Sequence, residues 1–156
     1  TRIIPDTEVF AALRHLIVTQ GEGAASFRAL GRATGLAAAT LVQRYGSAEE
    51  MFRAAALDGW DIAAAALAEA ETTAPMTVKG ATALLKALPD TPPPSRDPQV
   101  QKRAEQWRGR VTKALATRLG DSQKAAILFA AWQGRKMWEQ VGGRAFSLRD
   151  VVRRLT

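Results

Sequence analysis

The side chains best suited to specific recognition lie in one short stretch, residues 26–45. Thr40 and Gln43 are three residues apart, so in a helix they share one face. A glutamine can make two hydrogen bonds to an adenine edge, and a threonine methyl group can contact a thymine. Arg28 and Arg44 flank that face, where guanidinium groups would meet phosphates, although Arg44 could instead reach a guanine. This pattern predicts a surface that reads base edges from a helix.

Residues suited to covalent or metal chemistry are scarce. The sequence has no cysteine and one histidine, His15, which falls on the polar side of a predicted helix over residues 6–20. It shows no Gly-rich phosphate loop, no pair of catalytic carboxylates, no metal-spaced His/Cys cluster and no nucleophile motif. We therefore predict that the protein is not an enzyme and uses no cofactor or metal.

The recognition surface has to be positioned by two short helices that meet at a turn. Phe27 and Leu30 lie three apart on the first helix, and Leu41 and Tyr45 lie four apart on the second. The turn Thr34-Gly35-Leu36 between them contains a glycine that can adopt a positive φ. In a helix-turn-helix of this kind, the second helix enters the DNA major groove. Periodicity alone fits any small helical hairpin with a glycine turn about equally well.

A resemblance favours the DNA-binding alternative. Residues 9–52 resemble the DNA-binding domain of the tetracycline-repressor (TetR) family of bacterial transcriptional regulators. The matching features are a first helix that ends at Gly21, a second that Ser26 opens, the apolar-Arg pair Phe27-Arg28 and the turn at Gly35-Leu36. The closing signature of the family stands here as Thr40-Leu41-Val42-Gln43-Arg44-Tyr45-Gly46-Ser47-Ala48-Glu49-Glu50-Met51-Phe52.

The resemblance implies a fold, a domain division and a set of DNA contacts. It implies an all-α chain with a helix-turn-helix DNA-binding head over residues 1–46 and a ligand-binding and dimerisation bundle over residues 47–156. Arg32 and Arg2 are further candidates for phosphate contact, the latter as the remnant of a basic arm. The predicted DNA-binding residues are Ser26, Arg28, Ala37, Ala38, Thr40, Gln43, Arg44 and Tyr45.

Three positions depart from the family pattern. Ala37 stands where a Ser or Thr usually caps the second helix, Val42 where an aromatic residue touches a phosphate, and Ala48 where a lysine often begins the fourth helix. Replacing an N-cap by alanine costs about 0.5–2 kcal/mol of helix stability. We therefore expect weaker DNA binding and a shallower salt dependence than is typical of the family.

The charge balance suits a polyanionic partner but is unevenly distributed. The chain has 22 basic and 15 acidic residues, a net charge of +7. Residues 1–46 hold five arginines against three carboxylates, a net charge of +2. Most of the remainder lies in one segment, which is either a solvated helix face or a site for an acidic ligand. That basic segment contains Lys102, Arg103, Arg108, Arg110, Lys113 and Arg118 against Glu105 alone.

The sequence pattern of residues 47–156 predicts a helical bundle. A capping box at Ser47 and Glu50 opens a fourth helix that runs to about Glu71, and Pro75 fits the first turn of a fifth. The proline-rich segment 89–96 predicts an exposed loop. Large aromatic residues among Ala-rich helices predict a ligand pocket, with a filled core as the alternative. The predicted pocket residues are Trp60, Leu84, Trp107, Val111 and Trp132.

The last two predicted helices resemble the pair through which TetR-family chains dimerise. Ala126, Ala130 and Gly134 recur every four residues, and small residues at that spacing let another helix approach closely. An intramolecular core is the alternative. The predicted dimer residues are Ala126, Ala130, Gly134, Met137, Trp138, Leu148, Val151, Val152 and Leu155.

Location follows from composition and from the length of the apolar runs. The absence of cysteine suits a reducing cytoplasm, and runs such as residues 62–68 are far shorter than the ~20 residues of a membrane span. The sequence begins with Thr1 rather than Met, so whether a segment precedes Thr1 in the protein is left open. We predict a cytoplasmic repressor that binds a double-stranded DNA operator as a homodimer and responds to a small-molecule effector. The alternative is a helical ligand-binding or interaction module of the same fold with weakened DNA binding.

Overall fold

The chain is helical throughout the part that the structure describes. The computed structural model describes residues 3–143 and 146–156. The α-helices in these ranges are α1 (Asp6–Gln20), α2 (Phe27–Thr34), α3 (Ala38–Tyr45), α4 (Ala48–Thr73), α5 (Val78–Ala87), α6 (Pro98–Leu119), α7 (Ser122–Glu139) and α8 (Leu148–Leu155). A short 3₁₀ turn, Glu22–Ala24, follows α1. The prediction of an all-α chain is confirmed.

Most helix ends coincide with the polar caps and glycines of the sequence. The side chains of Ser26, Ser47, Asp97, Asp121 and Ser147 each accept a hydrogen bond from a backbone N–H in the first turn of α2, α4, α6, α7 and α8. These bonds satisfy donors that a helix N-terminus leaves without an intrahelical partner. Within the described ranges, no helix is both long enough and apolar enough to cross a bilayer.

The start of α5 differs from the sequence prediction. Pro75 was expected in its first turn, but the helix begins at Val78, and Pro75 lies in the preceding segment. A Cβ atom at Gly80 would overlap the carbonyl oxygen of Pro75, because this segment crosses directly over the first turn of α5. The same carbonyl accepts a hydrogen bond from Arg118, which holds the crossing in place.

The buried apolar side chains form two clusters that share α4. The first cluster contains residues of α1, α2 and α3 together with Met51 and Ala55. The second contains Trp60, Ala63 and residues of the later helices. Packing therefore divides the chain inside α4, between Ala55 and Trp60. We call residues 3–55 the head and residues 60–156 the bundle.

Two ion pairs connect α4 to the helices on either side of this division, α1 and α6. The guanidinium of Arg14 in α1 lies 3.3 Å from the Asp58 carboxylate. Arg53 lies 2.5 Å from the carboxylate of Asp97, the residue that caps α6.

The proline-rich segment 89–96 contains no helix, as predicted, but it is less exposed than expected because it packs on α4. A Cβ atom at Gly59 would stand only 2.8 Å from Pro92.

Among the described residues of the bundle, one charged side chain is buried. Arg118 is 6% exposed and donates to the carbonyls of Glu71, Ala74 and Pro75, each at 3.1 Å. These carbonyls lie at the C-terminal end of α4, where backbone acceptors lack intrahelical donors and the helix dipole favours a cation. Arg118 therefore caps α4 and is not part of an exposed basic face.

Candidate functional site

The helices α2 and α3 cross closely at a glycine. Gly31 is buried, and a Cβ atom there would stand 2.7 Å from the carbonyl oxygen of Leu36. Gly35 ends α2 in the left-handed conformation with φ of 80°, as the sequence predicted. Leu41 is fully buried against the head. This packing turns the opposite face of α3 to the solvent.

The outer face of α3 is formed by small and uncharged polar residues. Ala37, Ala38, Thr40 and Gln43 are all exposed, as expected for residues that approach base edges. Ala39 is also exposed and lies four residues before Gln43, on the same face. Ala39 was not among the residues predicted to bind DNA, although its spacing from Gln43 places it on that face.

The beginning of α3 has no side-chain cap. The backbone of Ala37 occupies the N-cap position, and its methyl side chain accepts no hydrogen bond. Its carbonyl accepts from the N–H of Thr40 at 3.0 Å and from that of Leu41 at 3.2 Å. As expected from the sequence, α3 has no side-chain N-cap, and this absence lowers its intrinsic stability.

The first helix of the pair presents two cations to the solvent. Arg28 and Arg32 are exposed on α2, and in the described part of the chain neither forms an ion pair. Ser26 is exposed, and its Oγ accepts from the N–H of Ala29 at 3.1 Å, which leaves its hydroxyl proton for another acceptor. Arg2, the predicted arm residue, lies outside the described residues.

Arg44, which was predicted to contact a phosphate or a guanine, makes hydrogen bonds within the head while remaining exposed. Its guanidinium donates to Asp6 Oδ1 at 2.6 Å and to the carbonyl of Ile4 at 2.8 Å. The same carboxylate oxygen accepts from the Tyr45 hydroxyl at 2.5 Å. Arg44 and Tyr45 therefore fasten the end of α3 to the start of α1, because Asp6, which lies 38 positions before Arg44 in the sequence, is beside them in the fold.

This contact shifts two ionisation equilibria in opposite directions. Hydrogen bonds from Tyr45 and then Arg44 lower the pKa of the Asp6 carboxyl. Burial, followed by the hydrogen bond to Asp6, raises the pKa of Tyr45 to about 12. A raised pKa means that the contribution of Tyr45 to stability is complete below about pH 10, its ordinary pKa, and is lost as the pH approaches 12.

Tyr45 is the only tyrosine of the sequence, so its ionisation can be followed directly. We expect the tyrosinate absorbance of the folded protein to titrate near pH 12 and that of the urea-unfolded chain near pH 10. Asp6→Asn should move the folded value part of the way towards 10, because burial remains as the larger cause. Glu22→Gln, an exposed change elsewhere in the head, should leave it in place. A folded-state value near 10 in the unmodified protein would contradict the contact.

The predicted pocket residues separate into a filled core and an open cleft. Leu84 and Val111 are fully buried, and Trp132 packs against Trp107 with ring centroids 6.2 Å apart. Trp60 and Trp107, with centroids 5.4 Å apart, line a cleft of about 660 Å³. Leu84, Val111 and Trp132 are thus core residues, because α5, α6 and α7 close upon them.

The outward face of α7 carries an apolar surface. Ala126, Ala130 and Gly134 are exposed, and a Cβ atom at Gly134 would meet nothing within 4 Å. Met137 and Trp138 are 68% and 62% exposed. Ile127 and Val141, which sequence analysis did not include, are also exposed on this helix and the turn after it. We call these seven residues the α7 surface.

Helix α8 contributes less to that surface than was predicted. Leu148 and Val152 are 4% and 7% exposed and belong to the bundle core, while Val151 and Leu155 are half-buried against it. Leu148 and Val152 have no area left for a partner, because the short helix packs its apolar face on its own chain. The predicted dimer surface is therefore reduced to α7 and the edge of α8.

The basic segment of α6 does not form one site. Arg103 pairs with Asp61 of α4, Arg108 pairs with Glu105 one turn earlier, and Arg118 caps α4. These three residues contact different neighbours because they are distributed around the helix. In the described residues, no group of three or more His, Cys, Asp or Glu side chains is arranged to hold a metal.

Comparison with protein-family models, with curated proteins and with solved structures gives no match for this chain. The functional argument therefore depends on the geometry of α2 and α3, the cleft and the α7 surface.

Proposed function

We propose that this protein is a DNA-binding transcriptional regulator of the TetR type. Two copies of the chain read a pseudo-palindromic operator, and a small molecule that binds the bundle releases them, so that the protein acts as a repressor. The observation that carries the proposal is the exposed face of α3, which holds Thr40 and Gln43 beside two exposed arginines of α2.

The chemistry of the head supports contact with duplex DNA. The outer face of α3 is made of small residues and one glutamine, so the helix backbone can approach the groove and Gln43 can reach an adenine. Arg28 and Arg32 supply cations on the neighbouring helix, where phosphates of the same groove would lie. Arg44 acts indirectly by fixing the orientation of α3 through Asp6.

The α7 surface supports a homodimer. It combines small residues, which permit close approach of a second helix, with Met137 and Trp138, which supply apolar area. An exposed apolar patch of this kind is typical of an interaction site. A second copy can cover it with the same residues around a two-fold axis, and a two-fold dimer matches an operator of two inverted half-sites.

A second candidate function is favoured by specific observations in the head. Ala37 provides no cap, Val42 presents an exposed aliphatic side chain, and Arg44 is paired internally. Each of these removes an interaction with phosphate or lowers the stability of α3. These three features favour a ligand-binding or interaction module of the same fold that binds DNA weakly.

The test is a fluorescence-anisotropy titration on DNA that flanks the protein's own gene. Gln43→Ala should weaken binding by ~1–3 kcal/mol and relax the preference at one operator position. Arg28→Ala should weaken binding to all sequences alike and reduce the salt slope by about one unit. We expect the salt slope of the unmodified protein to be shallow, since few cations face the DNA.

Matched controls exist on the bundle. Gln106→Ala changes an exposed glutamine of α6, and Arg149→Ala changes an exposed arginine of α8; both should leave DNA affinity unaltered. If Gln43→Ala behaves like Gln106→Ala in a competition assay, α3 is not the reading helix. If no DNA is bound at low salt, the second candidate function replaces the first.

A further inference from the structure

The exposed face of α3 presents methyl groups beside a single amide. Ala39 lies four residues before Gln43 and three before Val42, so these side chains share one face of the helix. All three are exposed, and the aliphatic Val42 is 44% exposed. Thr40 adds a methyl group at the edge of this face. In the major groove, thymine alone of the four bases carries a methyl group, and a glutamine pairs best with adenine. The chemistry of the face therefore matches A·T pairs.

Guanine is read mainly by arginine or lysine, and α3 has one such residue. Arg44 is the only charged side chain of this helix, and it lies four residues after Thr40, at the edge of the exposed face. Its guanidinium, however, donates to Asp6 Oδ1 at 2.6 Å and to the carbonyl of Ile4 at 2.8 Å. The one cation of α3 is thus bound to the start of α1 and not directed at a base.

Several interactions keep Arg44 in this position. Hydrogen bonds from Tyr45 and then Arg44 lower the pKa of the Asp6 carboxyl, which therefore carries its charge at neutral pH. Ile4 is 8% exposed, and withdrawal of Arg44 would take the donor from its carbonyl, which is costly for a buried acceptor. The side chain of Asp6 is 61% exposed, so its carboxylate would also repel a phosphate beside it. A base or phosphate has to replace both partners of Arg44 to bind it.

We infer that α3 reads half-sites of A·T pairs, and that Asp6 sets this preference by restraining Arg44. Gln43 pairs with an adenine, and the methyl groups that share its face pack on thymines. Asp6 is a positioning residue, since it acts through Arg44. This inference rests on the proposed function and deepens it by naming the class of base pair that the protein selects.

Base preference is measured by selection from a randomised duplex library with the full chain. We expect A·T pairs at the positions whose selection Gln43→Ala relaxes. A consensus with G·C pairs at those positions would overturn the inference and leave the proposed function standing. If neither the wild type nor Asp6→Asn selects any sequence or binds duplex DNA at low salt, the proposed function is refuted and this inference with it.

The methyl contacts are tested by replacing single thymines of the selected site with deoxyuridine, which removes only the methyl group. At a contacted thymine the replacement should weaken wild-type binding about two- to fourfold, the usual contribution of one buried methyl group. In Val42→Ala this loss should disappear at one thymine, because the shortened side chain no longer reaches the base. Val18→Ala, a change at an exposed valine of α1, should retain it. Equal losses in the two variants at every thymine would overturn the contact of Val42.

The restraint on Arg44 is tested with Asp6→Asn, in which the amide oxygen can still accept from Tyr45 but the charge is gone. Binding should strengthen about fivefold at low salt and the salt slope should steepen by about one unit, because one more cation is free to meet DNA. The selected half-sites should then admit G·C pairs. Sites still restricted to A·T pairs would overturn the role of Asp6 in base preference, and weaker binding would show that Asp6 holds Arg44 towards the DNA.

A double-mutant cycle separates this restraint from a general effect of charge. In an Arg44→Gln background, Asp6→Asn should leave affinity unchanged, because no cation remains to be released. Glu22→Gln removes another exposed carboxylate of the head and should not relax the base preference. If Asp6→Asn strengthens binding equally with and without Arg44, the gain comes from lost repulsion and the restraint is refuted.

Discussion

Replacing Arg118 with methionine will destabilise the bundle by about 3–5 kcal/mol, because the change leaves several backbone carbonyls without donors. The guanidinium makes hydrogen bonds to Glu71, Ala74 and Pro75 at the end of α4 and to Ala114 on its own helix. Methionine can fill much of the volume but donates nothing. For a chain of this length the loss corresponds to a fall in Tm on the order of 10 °C.

Urea unfolding followed by tryptophan fluorescence measures this effect, since the four tryptophans include three in the bundle core. Arg110→Met provides the matched control, because Arg110 is exposed on the same helix and should change stability by no more than about 0.5 kcal/mol. Arg118→Lys should fall between the two, since a single ammonium cannot reach all the carbonyls that the planar guanidinium spans. Equal stability of Arg118→Met and Arg110→Met would show that water replaces the cap.

Gly134→Arg will convert the proposed dimer to a monomer. Gly134 lies at the centre of the α7 surface, where the absence of a side chain permits a second helix to approach closely. An arginine there would hold the helices apart and place a charge opposite its own copy across the two-fold axis. Light scattering with size-exclusion chromatography should show the mass halved at micromolar concentration.

The fold of the single chain should survive this substitution. A Cβ atom at Gly134 meets nothing within 4 Å, and arginine is a better helix former than glycine by several tenths of a kcal/mol. Gly109→Arg is the matched control, because Gly109 is also an exposed helical glycine with open space around it, but on α6. It should leave the dimer intact. A dimer mass that persists in Gly134→Arg would rule out α7 as the interface.

Loss of the dimer should also weaken operator binding, because each head then binds its half-site alone. The binding curve of Gly134→Arg is expected to lose its dependence on two inverted half-sites. Weakened binding with an unchanged dimer would instead indicate an effect on the bundle.

The sequence by itself determined the helical elements and most of their ends. Ser26 and Ser47 were predicted to open helices and act as their N-caps, and Gly35 adopts the positive φ expected of it. These signals are local: a cap or a left-handed glycine acts on backbone groups within a few residues, so it can be read along the chain. The buried face of α3 at Leu41 follows from periodicity for the same reason.

Only the tertiary structure decided what the charged side chains do. Arg44 pairs with Asp6, Arg53 with Asp97, and Arg118 caps the end of α4, each across more than 35 positions of sequence. A long basic side chain is equally compatible with solvent, a phosphate or a buried carbonyl, and its partner depends on which helices come together. The cleft along Trp60 and Trp107, and the burial of Leu148 and Val152, depend on the same long-range packing, which local pattern does not encode.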